Sequence, residues 1–97
     1  MWEETNDGLT VGELGSEGGI ILLDETYRDS CRITLEKCHS YCAITCGCSF
    51  LIHTAFSDDE TAEQRYEEMK QDLKGFIDVE NLDKDMEMFC EYFTNKY

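Results

Sequence analysis

The chain has 97 residues, with 22 Asp and Glu against 8 Lys and Arg and a formal net charge of −14. That length holds one hydrophobic core rather than two, and that charge repels phosphate backbones and anionic membranes, so neither nucleic acid nor membrane is an expected partner. No apolar run reaches the roughly 18 residues of a membrane span, and the acidic opening Met1-Trp2-Glu3-Glu4-Thr5 is unlike a signal peptide. A soluble cytoplasmic protein is the expectation.

Residues 1–19 carry five acids, no base and five of the seven glycines. Glycine backbone entropy opposes regular structure, so this stretch reads as an acidic tail or irregular segment, with Trp2, Leu9, Val11 and Leu14 available to pin it. Residues 20–57 carry four acids and three bases and are rich in Ile, Leu, Phe, Cys and Thr, residue types that fit a pleated, half-buried surface. Turn residues divide them into four strands near 20–26, 31–37, 41–46 and 50–56. In the second, Cys31, Ile33 and Leu35 alternate with Arg32, Thr34 and Glu36, as a sheet with one wet face requires. The C-x3-C-x3-C spacing of Cys38, Cys42 and Cys46 also fits one helical face, but Tyr41, Ile44 and Thr45 favour strand there. Connections of two to five residues point to an antiparallel meander.

Residues 58–97 carry thirteen acids and five bases. Ser57-Asp58-Asp59-Glu60 reads as a capping box opening a helix, and Ala62, Tyr66, Met69, Leu73 and Phe76 form one apolar stripe. Gly75 weakens only its end. A second stripe runs through Leu82, Met86, Phe89, Phe93 and Tyr97. Helices are therefore predicted near 58–77 and 82–96. The expected fold is α+β: a four-stranded antiparallel β-meander with two C-terminal helices packed on one face, in a single domain over residues 20–97.

Six cysteines offer the most tempting chemistry. Strand context and the lack of an export signal favour reduced structural thiols, close to six of them free. Cys38, His39, Cys42, Cys46 and Cys48, with His53 nearby, are zinc-type ligands, but Cys42-x3-Cys46-x-Cys48 along an extended segment spreads its sulfurs apart. No C-x-x-C redox pair occurs, and the phosphate-loop, nucleophile-elbow and zinc-protease motifs are absent. Asn81, Asp83, Asp85 and Glu87 alternate like a calcium loop, but Met86 stands where Gly is needed and Tyr92 where the bidentate Glu belongs. No cofactor is expected, and nothing names an enzyme.

The acidic side of the helices remains. Glu60, Glu63, Glu67, Glu68 and Asp72 lie off the first apolar stripe, and such a field steers a basic protein partner toward it. Tyr92 is the candidate anchor, with Tyr97 and Trp2 as others. The run Ile33-Thr34-Leu35-Glu36-Lys37-Cys38, followed by Tyr41-Cys42-Ala43-Ile44-Thr45-Cys46-Gly47 and Tyr66-Glu67-Glu68-Met69-Lys70, resembles small uncharacterised acidic bacterial α+β proteins, immunity-like in type. The resemblance covers about the last four fifths of the chain and implies no activity. The leading expectation is a non-enzymatic protein-binding or inhibitory, immunity-like protein. The alternatives are a thiol or zinc-dependent protein centred on residues 38–48, and a structural homodimer subunit joined by an uncovered sheet face.

Overall fold

The computed structural model describes residues 1–79 and 85–97. Leu82, Asn81 and Asp83, and with them the predicted start of the second helix and half of the calcium-like run, lie outside the described residues.

Five strands, not four, form one antiparallel sheet in sequential order: β1 Trp2–Glu4, β2 Ile20–Tyr27, β3 Cys31–Lys37, β4 Cys42–Cys48 and β5 Ile52–Ser57. The extra strand comes from the N-terminal stretch, where Trp2 pairs with Tyr27 and Glu4 with Glu25. Three residues show no periodicity of their own, and pairing with β2 makes them a strand. The β2–β3 connection turns through Arg28 and Asp29 at φ 49° and 55°, the left-handed conformation that matches the twist of the flanking strands.

Strand alternation sorts the side chains onto two faces. Leu23, Glu25, Tyr27, Ile33, Leu35, Ile44, Cys46, His53 and Ala55 share the inner face by register. Against it lies α1, Ala62–Ile77. Its buried Ala62, Tyr66, Met69 and Leu73 fall one or two turns apart, so the sequence stripe becomes the packed face. Ile33, Ile44, Met69 and Leu73 are fully buried, each contributing about 1.5–3 kcal/mol by removing its side chain from water.

The start of α1 differs from the expected capping box. Ser57 ends β5, and it is the Asp58 carboxylate that accepts from the Thr61 amide at 2.9 Å and from its hydroxyl at 2.7 Å. The strand runs into the position that the box needed, so the helix begins four residues later. The second helix, α2, Met86–Lys96, is capped by Asp85, which accepts from the Met88 amide at 3.0 Å. Phe89 stacks on Phe76 with centroids 4.3 Å apart, and Phe93 is buried beside His53 and Tyr97.

Residues 5–19 fold over the β2–β3 half of the outer face. Thr10 donates to Asp24 at 2.7 Å, and the fully buried Glu36 carboxylate accepts from the amides of Glu17 at 3.1 Å and Gly19 at 3.2 Å. A Cβ at Gly15 would collide with that carboxylate, so glycine lets the loop close over it. Further across this face Ala43 on β4 is fully buried between Glu36 and Phe56, while Ile52 and Phe56 on β5 stay exposed.

Candidate functional site

The predicted acidic site residues divide into two groups. Glu60, Glu63, Glu67 and Glu68 are exposed; Glu67 lies 3.4 Å from Lys70, and Glu68 accepts from Gln64 at 3.2 Å. Asp72 instead accepts from Tyr97 at 2.6 Å, Lys96 at 3.0 Å and Tyr92 at 3.5 Å. Asp72 and Tyr92 therefore meet in a tie between α1 and the end of α2. Burial, with Asp72 beside it, pushes the Tyr97 phenol up to about 12. Hydrogen bonds to Tyr92 and Asp72 hold the Lys96 ammonium above its ordinary pKa.

The cysteine segment is dispersed by the sheet. Cys38 pairs with Tyr41 across the hairpin turn, and alternation from Glu36 places it on the outer face. His39 is exposed in that turn. Cys42 and Cys46 are buried on the inner face. Burial pushes the Cys46 thiol up to about 11, and burial with the neighbouring Asp59 carboxylate, 3.3 Å from the Cys42 sulfur, also raises Cys42. Raised thiols are poor nucleophiles at neutral pH because the thiolate is scarce. Among the described residues no group of three His, Cys, Asp or Glu is placed to hold a metal ion, so the zinc-type residues do not form a ligand set.

Cys48 is joined to Cys31 in a disulfide, which corrects the expectation of six free thiols. The register explains the pairing. Counting from the hydrogen-bonded Cys38/Tyr41 pair at the turn, Cys31 and Cys48 fall opposite one another at a non-hydrogen-bonded position. Backbones approach most closely there, and the two Cα atoms are 4.1 Å apart.

The two sheet edges differ. Free strand edges present unpaired amides and carbonyls, and proteins blunt them with short length, charge or proline. β1 is three residues long and carries Glu3 and Glu4. β5 is six residues, Ile-His-Thr-Ala-Phe-Ser, with no formal charge and no proline. Cys48 and Leu51 exchange backbone hydrogen bonds at the β4–β5 turn, so by alternation the backbone groups of Ile52, Thr54 and Phe56 point to the free side of the sheet.

Their side chains stand on the outer face, where Ile52 is 81% and Phe56 59% exposed. Tyr41 packs edge-on against Phe56 with centroids 5.6 Å apart, and the Thr45 and Thr54 hydroxyls are 3.2 Å apart. A shallow cleft of about 330 Å³ adjoins them, lined by Leu14, Ile21, Arg32, Thr34, Thr45 and Gly47 among others.

Sequence reasoning locates the strand holding Ile52, Thr54 and Phe56 but does not single these residues out. A signal was present: residues 38–57 contain no Asp, Glu, Lys or Arg. Among the helices described, none is long and apolar enough to cross a membrane. Set against protein-family models, curated proteins and solved structures, the chain matches none of them.

Proposed function

We propose that the chain is a non-enzymatic interaction subunit that docks by strand addition along β5. The observation that carries this reading is the six-residue, uncharged and proline-free edge flanked by exposed Ile52 and Phe56. Strand addition supplies main-chain hydrogen bonds for affinity and alternate side chains for specificity. Both helices belong on the inner face in this reading, since Phe93 of α2 meets His53 there, which leaves the outer face and the edge for a partner. Cys42 and Cys46 serve this reading as buried core residues of the sheet, their thiols raised by burial. The Cys31–Cys48 disulfide favours an oxidising compartment over the cytoplasm.

An NMR titration with a neutral extended peptide of alternating valine and threonine tests the reading. The amide signals of Ile52, Thr54 and Phe56 are expected to shift. A parallel titration with a short oligolysine peptide probes the acidic helix. If only that peptide binds, shifting the amides of Glu63, Glu67 and Glu68, docking belongs to a basic partner on α1 and the inhibitory, immunity-like role takes precedence.

A further inference from the structure

We infer that the occupant of β5 is a second copy of the same chain, paired antiparallel to it about Thr54; this rests on the reading of β5 as a docking edge. Charge is the first argument. At a net −14, most pairings of two copies bring carboxylates together, whereas residues 38–57, which hold the whole of β4 and β5, carry no formal charge. Like charges directly opposite one another destabilise a strand pair, and β5 presents none.

The second argument is self-complementarity. With Thr54 on the twofold axis, Ile52 of one protomer lies opposite Phe56 of the partner subunit, and the same contact recurs on the other side of the axis. Ile52, Thr54 and Phe56 are the residues whose backbone groups face outward, so each pair in this register exchanges amide and carbonyl hydrogen bonds. The paired side chains fall on one face and cover the two most exposed apolar residues of the strand. Asp58 and Asp59 then run past the partner's turn at residues 49–50, which is uncharged, rather than past its acids. Asp59 is also neutralised within its own chain by Lys37 at 2.6 Å.

The third argument is closure. A symmetric contact uses the same patch twice and consumes it. Among the described residues the other edge strand of each protomer is β1, where Glu3 and Glu4 oppose further strand addition. The assembly therefore stops at two copies and a continuous sheet of twice five strands.

Sedimentation equilibrium over a concentration series, at low and high salt, provides the test. A reversible dimer that tightens as salt rises is expected, because screening weakens the repulsion between two acidic bodies. Ile52→Lys alone and Phe56→Glu alone are each expected to weaken it about tenfold or more, since symmetry places each change in the interface twice. Combining the two sets each introduced lysine opposite an introduced glutamate and restores the dimer. A chain that stays monomeric at all concentrations while the neutral peptide still shifts the β5 amides overturns the second copy but not the docking edge. Monomer with no peptide shift overturns both. A dimer indifferent to the single substitutions, or weakened by them without rescue in the double variant, overturns the pairing about Thr54.

Discussion

The ammonium of Lys70 on α1 lies 2.9 Å from the Glu25 carboxylate on β2, and the Tyr66 hydroxyl reaches the same carboxylate oxygen at 2.9 Å. Lys70 also sits 5.8 Å from the Trp2 ring. One side chain thus ties the helix to the inner face and to the N-terminal strand. The pair is mostly withdrawn from water, with side-chain exposures of 10% for Lys70 and 19% for Glu25.

Removing one partner of such a pair leaves a desolvated charge behind. Lys70→Met keeps the apolar stem but strands Glu25, and a cost of about 2 kcal/mol is expected, below the fully buried case because Glu25 retains some solvent. Adding Glu25→Gln should recover most of the loss. Urea denaturation midpoints measure both, and equal stability of Lys70→Met and the native chain would show that the pair does not stabilise the fold.

The disulfide gives a prediction that separates the structure from the sequence reading. Under denaturing, non-reducing conditions thiol titration should find four free groups, Cys38, Cys42, Cys46 and Cys90. Closing a loop of sequence separation 17 restricts the unfolded chain, so Cys31→Ser with Cys48→Ser should cost about 3 kcal/mol. Six titrating thiols would leave the two cysteines merely apposed.

How much of this was legible beforehand depends on the range of the interaction. The alternation of Cys31, Ile33 and Leu35 and the helical spacing of Tyr66, Met69 and Leu73 are local patterns, and the burial of all six follows them. β1 is not legible, because its strand state depends on β2, distant in sequence. The same holds for the disulfide: six cysteines admit many pairings, and only the β3–β4 register selects one. Asp72 and Tyr92 are individually readable as residues off the apolar stripes, but their contact requires the placement of one helix against the other. The β5 edge stands between these cases. Its lack of charge is plain in the sequence, while its edge position emerges only from the sheet order.

The acid limb of stability follows from carboxylates held below their ordinary range. Burial alone would raise the Asp24 pKa, but hydrogen bonds from Arg32 at 2.9 and 2.6 Å and from Thr10 outweigh it and lower the value. Asp78 is lowered to about 2 by Lys74 and then by Tyr27. Both folded values lie below the unfolded 3.8. Their contribution is therefore complete above 3.8 and is lost as pH falls through the folded values. Asp24→Asn should melt lower than the native chain at neutral pH, with the gap narrowing below pH 3.8. Repulsion among the other acids eases over the same range in both proteins, so the difference between their melting temperatures is the quantity to follow. A gap independent of pH would rule out ionisation of Asp24 as its cause.

Phe93 decides whether α2 belongs to the same cooperative unit as the sheet. It is fully buried, with ring centroids 4.9 Å from Tyr97, 5.6 Å from Phe89 and 6.0 Å from His53. Truncation of such a ring costs about 3–5 kcal/mol when the surroundings cannot collapse. Among the described residues α2 reaches the body through aromatic side chains, Phe89 against Phe50 and Phe76 and Phe93 against His53. Phe93→Ala should therefore release the helix before it unfolds the domain. Hydrogen exchange reads this directly: amides of α2 should lose far more protection than those of β3 and β4, because local opening becomes cheaper than global unfolding. Equal loss of protection in all three would place α2 inside one all-or-none unit, with Phe93 a core residue like Ile33 or Leu73.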